Sequence, residues 1–290
     1  MTLTDMSKTI TTPPWGGFIT NFIRKNKDVV VTAPVLASAK RFPHGPFQFQ
    51  VRVTPGAAYE IQASSDMQNW LSIMTGTAES EAVEYLDSDA SKSSFRFYRV
   101  LSGELVSQNM IGYATISTPP GFSMIANPLS APVNTLSLLL PDMPDGTTFC
   151  KFDTSLFRLT NNSVKNGQWI NPNEKFVPGE GAIFYNPTSD FKTLNFVGDV
   201  SQGRLLNPIP AGMSIRSSLV PQPGRLGADL GFPIADGDVV HIFDRDQQKY
   251  TLYPYSAAEW ERKPPIIAVG ESFWISKTQP GNWVRNFTVS

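Results

Sequence analysis

The sequence predicts an all-β protein: a small β-sandwich module, then two tandemly duplicated β-rich units, behind an irregular N-terminal arm. Three observations predict this. Short apolar runs are separated throughout by turn formers, with 24 prolines and 21 glycines in 290 residues, the pattern of many strands and tight turns. Apolar and polar residues alternate strictly from Phe47 to Val53, as in a half-buried strand. The second half of the chain also repeats itself at a constant offset of 91 residues.

Residues 1–45 read as the arm. Thr11-Thr12-Pro13-Pro14 favours extended chain. Trp15, Phe18, Ile19, Phe22 and Ile23 then recur at the spacing of an apolar helical stripe, followed by Arg24, Lys25 and Lys27. The arm carries a net charge of +4 and the remainder −5. These eight residues are the candidate subunit-docking group: an apolar, basic segment suited to a neighbouring acidic body.

Residues 46–101 read as one module. Strands are expected at Phe47–Val53, Tyr59–Ala63, Trp70–Ile73, Ala82–Leu86 and Phe95–Val100, with a Pro55-Gly56 turn. Their number and length suggest an immunoglobulin- or fibronectin-like sandwich. Residues 102–112 read as a linker.

The repeat follows, as 113–200 and 201–290. Asp145-Gly146 recurs as Asp236-Gly237, Phe152-Asp153 as Phe243-Asp244, and Trp169 as Trp260. Gly179-Glu180 recurs as Gly270-Glu271, and Asn195-Phe196 as Asn286-Phe287. Recurring residues read as architecture, with Trp169 and Trp260 as core. Positions that do not recur, namely His241, Asp238, Asp246 and the tyrosines of the second unit, are where a specific function is expected.

Two blocks carry a resemblance. Tyr59-Glu60-Ile61-Gln62-Ala63-Ser64-Ser65-Asp66, Trp70 and the closing Phe95-Arg96-Phe97-Tyr98-Arg99-Val100 resemble a module of large surface proteins from Verrucomicrobia and related bacteria. The segments 121–129, 145–148, 178–181 and 196–198 resemble C-terminal blocks of the same proteins. The resemblance implies a surface location and no particular activity. Those relatives usually carry a secretion signal, whereas residues 1–10 contain Asp5 and Lys8 and no apolar core of a signal.

The chemistry-bearing residues are few. The one cysteine, Cys150, permits no internal disulfide, and the histidines are His44 and His241. Glu180 and Glu271 would be the acidic pair of a glycan-active enzyme, but one carboxylate per repeat reads more simply as a bond to turn amides. Asp236, Asp238, Asp244 and Asp246 have calcium-type ligands without the spacing of a calcium loop. Tyr250, Tyr253 and Tyr255 replace Leu159, Asn162 and Val164 of the first unit and are the candidate ligand or partner surface. A net charge of −1 gives no basic excess for nucleic acid, and no apolar run is long enough for membrane insertion. The expectation is a non-enzymatic structural or surface protein without cofactors, part of an extracellular or virion-like assembly of protein subunits. A glycan-binding adhesion module is the alternative, and a glycan-active enzyme the more distant one.

Overall fold

A computed structural model describes residues 30–42 and 45–288. The eight docking-arm residues and His44 lie outside them. The chain is nearly all β, in antiparallel sheets, and the one α-helix among the described residues, α1 (Leu136–Leu139), spans four residues.

The first body is a two-sheet sandwich. One sheet has the order β1 (Val35–Arg41), β2 (Phe47–Arg52), β5 (Ala82–Asp87). The facing sheet contains β3 (Ala58–Ser64), β4 (Leu71–Thr77) and β6 (Phe95–Ser102), with the short β7 (Leu105–Val106) on β6. It is completed by β8 (Ile111–Thr118) and β14 (Lys192–Asp199), giving the order β14-β8-β6-β3-β4. The alternation from Phe47 buries Phe47, Phe49 and Val51 against Tyr59, Ile61, Tyr98, Val100 and Tyr113. Phe47 stacks on Tyr98 at 5.0 Å, and the Tyr98 hydroxyl donates to the buried Asp87 carboxylate at 2.7 Å.

The sandwich is therefore larger than residues 46–101. Residues 35–41, expected in the irregular arm, form an edge strand. Residues 111–118, expected to span the end of the linker and the start of the first repeat unit, and residues 192–199, expected in that unit, complete the facing sheet. The expected linker is also structured. Asn109 donates from Nδ2 to Leu36 O and to Asp199 Oδ1, and accepts from Leu36 N, clipping β1 to β14.

Each half of the repeat builds a five-stranded sheet of the same order. In the first unit it is β12 (Gln168–Trp169), β11 (Arg158–Lys165), β10 (Thr148–Asp153), β13 (Ala182–Asn186), β9 (Gly121–Ile125). In the second it is β20 (Glu259–Trp260), β19 (Lys249–Ser256), β18 (Val239–Asp244), β22 (Phe273–Lys277), β16 (Gly212–Arg216). Every strand bound in the second sheet lies 91 residues after its counterpart. The flanking strands diverge in their neighbours. In the first unit β8 and β14 join the sandwich, whereas β15 (Gly203–Ile209) and β23 (Gly281–Phe287) form a separate two-stranded sheet. A second small sheet pairs β17 (Gly224–Arg225) with β21 (Ile266–Ile267).

The units keep separate cores. Phe149, Trp169, Phe176, Phe184 and Phe196 fill the first; Phe232, Val240, Phe273, Ile275 and Trp283 fill the second. A fourth cluster, including Phe97, Met110, Leu129, Val200 and Val220, joins all three bodies. Trp169 is buried as expected of core, with Nε1 donating to Leu140 O. Trp260 is only half-buried at the margin of its core. The fully buried tryptophan of the second unit is Trp283 on β23, donating to Leu230 O.

The units meet along a reciprocal seam. Ile125 bridges Glu271, and the equivalent Arg216 bridges the equivalent Glu180. Ala126 N donates to Gly270 O at 2.8 Å, and Ser217 N to Gly179 O at 3.1 Å. Each contact maps onto the other by the same offset, which is the self-complementary logic of a two-fold interface. Gly181 and Gly270 lie against Ile215 and Ile116 respectively, closer than any Cβ could be accommodated.

One hairpin separates the units in strain. The β11–β12 loop is Asn166-Gly167, with φ of 53° and 72°. The equivalent loop is Ala257-Ala258, held at 51° and 63°. Two left-handed residues suit Asn-Gly and strain alanine. Asp145 accepts from Asn166 N and Gly167 N, and Asp236 accepts from Ala258 N. Replacing Ala257 by Asn and Ala258 by Gly together is expected to raise the unfolding free energy by about 1–2 kcal/mol, read by urea denaturation. The reverse exchange at Asn166 and Gly167 is expected to lower it by a similar amount.

Candidate functional site

The three candidate tyrosines lie on one strand, β19, whose side chains alternate between faces. Tyr253 pairs with the buried Val240 and packs against the second core. Tyr255 shares that face; its ring meets Trp260 edge-on at 5.3 Å and its hydroxyl donates to Ala258 O. Tyr250 points the other way. The expected three-tyrosine surface therefore does not form, because positions 253 and 255 share a parity that 250 lacks.

The outward face of β19 instead belongs to a continuous aromatic face that crosses the two units. Tyr250 lies opposite Phe243, their ring centroids 4.8 Å apart. Trp274 Nε1 donates to the Tyr250 hydroxyl at 3.2 Å. The Trp274 ring meets Phe152 of the first unit edge-on at 4.9 Å, and Phe152 meets Phe157 at 5.3 Å. Leu159 lies opposite Phe152, and Leu252 opposite His241, which in turn pairs with Trp274. Phe157 is 67% exposed, Leu159 48%, Leu252 47% and Tyr250 41%. Side chains this large, exposed and connected are unusual on a solvated sheet face. Alternation of residues 157–159 and 250–252 carried a signal for this face; its continuity across the units did not show in sequence. Burial pushes the Tyr250 hydroxyl up, with the Trp274 bond acting in the opposite sense. Burial also pushes His241 down, which favours the neutral imidazole. Cys150, its counterpart, is half-buried and its thiol is pushed up.

The acidic candidates are engaged in the fold. Glu180 Oε2 accepts from Val177 N, and Glu271 Oε2 from the equivalent Ala268 N, so each closes its own Gly-Glu turn. Their surroundings differ. Lys151 Nζ contacts Glu180 Oε1 at 2.7 Å, whereas Ile242 occupies the position equivalent to Lys151. Burial pushes the Glu271 carboxyl up, only partly offset by Ala268 N and the field of Arg245.

Asp238 is wholly buried and pairs with Lys277 at 2.5 Å. Lys277 also donates to Pro233 O, and Asp238 accepts from Thr278 N, Thr278 Oγ1 and Ala235 N. Burial alone pushes the Asp238 carboxyl up, but these donors outweigh it and hold it below the usual range. The first unit has Thr147 and Asn186 at these positions. Asp238 thus does not recur because one unit uses a buried ion pair where the other uses neutral groups. Asp244 accepts from Asp246 N and Gln247 N, as Asp153 does from Ser155 N and Leu156 N, so both cap their hairpin loops. No group of three or more potential metal ligands converges among the described residues; the carboxylates of Asp236 and Asp244 serve two turns and that of Asp238 an ion pair, while Asp246 contributes its backbone N–H to the Asp244 turn.

Two consequences are measurable. Lys277→Met strands a buried carboxylate and is expected to cost about 3–5 kcal/mol in chemical denaturation, while Asp238→Thr with Lys277→Asn, the residues of the first unit, removes both charges and recovers most of it. The glutamates are expected to respond with opposite sign. Glu271 is protonated in both states at low pH; as pH rises through the ordinary carboxylate range the unfolded chain ionises first, and stability is lost up to the higher folded value. Glu271→Gln therefore stabilises at neutral pH, with the gain vanishing at acid pH. Glu180→Gln, which loses the ion pair with Lys151, destabilises at neutral pH; thermal melts of both variants across pH are the measurement.

Compared with known proteins, the chain matches no family model and no curated sequence.

Proposed function

We propose that this protein is a non-enzymatic structural or surface component, a subunit of a larger extracellular or virion-like assembly, whose aromatic face receives the N-terminal segment of a neighbouring copy. The observation that carries the reading is the connected run of exposed Phe157, Leu159, Tyr250 and Leu252 around the half-covered Phe152 and Trp274. The occupant is suggested by the 29 residues that precede the described chain. Trp15, Phe18, Ile19, Phe22 and Ile23 are spaced to form one apolar stripe, and Arg24, Lys25 and Lys27 follow it. Residues 46–290 carry a net charge of −5, which favours approach of a basic segment. The surface location rests on the module resemblance. A glycan-binding reading has less support, since Tyr253 and Tyr255 are turned toward the core.

Deletion of residues 1–29, which stops short of β1, tests the proposal together with the double variant Phe157→Asp, Leu252→Asp. Light scattering on the purified proteins is expected to show assembly by the full chain and monomers for both variants, with thermal midpoints within a few degrees of the full chain's. Assembly of either variant at the level of the full chain overturns the reading.

A further inference from the structure

A second surface, remote in sequence from the aromatic face, carries a different chemistry. Where the end of β1 meets β8 and β14, a cavity of about 270 Å³ is lined by Arg41, Lys92, Ser93, Ser94, Thr193 and Asn195, among others, and by no acidic residue. The Arg41 guanidinium lies 3.7 Å from the centre of the Tyr113 ring. Among the described residues Nη1 donates to Ala90 O at 3.1 Å, and the guanidinium also hydrogen-bonds the Tyr113 side chain. Its Nε is buried without an acceptor among the described residues. A buried donor left unpaired is costly, and here it belongs to a permanent cation fixed in place by an aromatic ring.

The remaining lining groups are also donors. Thr115 Oγ1 donates to Asn195 Oδ1 at 2.8 Å, which orients the Asn195 amide and leaves its Nδ2 hydrogens available. Among the described residues the hydroxyls of Ser93, Ser94 and Thr193 have no partner. Lys92 reaches the cavity from the exposed 3-10 turn Ser88–Lys92, where it neutralises the nearby Asp89 carboxylate at 2.7 Å. A planar fork, three hydroxyls without partners among the described residues and an amide, with no lining carboxylate and with the Lys92 ammonium shared with Asp89 at the rim, are groups that recognise an oxyanion. A larger cavity of about 510 Å³, lined by residues 138–143 and Phe191, shares Arg41, Thr193 and Asn195 with the first. A ligand body attached to the anion would extend there.

We propose that this cavity is an oxyanion site, taking a sulfate or phosphate group either free or borne on a larger molecule such as a sulfated sugar. The site is independent of the arm-docking reading, because none of its residues lies on the aromatic face.

The test is isothermal titration calorimetry of the full chain with sodium sulfate, sodium phosphate and a sulfated disaccharide, against sodium chloride at equal ionic strength. Saturable binding of sulfate or phosphate, absent with chloride, is expected. Ser94→Asp, on an exposed position, places a negative charge in the cavity and is expected to weaken binding at least about tenfold. Arg41→Lys keeps the charge but loses the fork and is expected to weaken it about fivefold; unchanged far-ultraviolet circular dichroism checks that each variant is folded. Tighter binding of the disaccharide than of the free ion supports a borne group, and equal binding supports a free ion. Absence of saturable binding by any of the three anions, or equal binding by a folded Ser94→Asp variant, overturns the proposal.

Discussion

The contact on which the rest of the repeat depends is the pair of backbone bridges between the units. Ile125 reaches Glu271 and Arg216 reaches Glu180, each supported by an amide donating to the carbonyl of the glycine before the glutamate. Beside the seam, Gly181 and Gly270 leave room for the side chains of Ile215 and Ile116, which a Cβ at either position would crowd. The glutamates then close their own turns through Val177 N and Ala268 N, so the segments that touch are already rigid. The relative placement of the two sheets follows. It brings Trp274 onto Phe152 and makes one aromatic face from two sheets.

Sequence equivalence does not give equal surroundings, and the flanking strands show why. β8 and β14 extend the sandwich sheet and so join the first repeat unit to it by main-chain hydrogen bonds. Their counterparts β15 and β23 pair only with each other. A two-stranded sheet is marginal by itself. It is held by Trp283, packed against Phe232 and Phe273, and by Leu205 and Phe287 at the junction of the three bodies. One strand plan thus serves as a joint in the first unit and as a lid over a core in the second.

The paired units also act as controls on each other's chemistry. The lysine that pairs with Glu180 is Lys151, whose position in the other unit holds Ile242, and a buried Asp238–Lys277 pair stands where the first unit has Thr147 and Asn186. These differences are substitutions within a constant framework, each with a local electrostatic compensation or its absence. They account for Lys151, Asp238 and Lys277 without assigning them a reaction.

Several features were legible in the sequence because they depend on neighbours along the chain. The period-two run from Phe47 placed β2 and its buried face, and the Asp-Gly and Gly-Glu anchors marked turns that hold in both units. The recurrence of Trp169 at the 91-residue offset marked it as core, and it is buried there. Other features were decided only by tertiary structure, because they depend on which strands find each other. Val35–Arg41 looks like arm until β2 pairs with it, and β8 and β14 look like repeat until β6 accepts them into its sheet. The tyrosines at 250, 253 and 255 form a cluster along the chain, but strand alternation sends them to opposite faces. The aromatic face and the Arg41 cavity join residues far apart in the chain, so no local pattern announces them. Local periodicity determined the strands and turns, while pairing across long separations decided the boundaries of the bodies and the surfaces they expose.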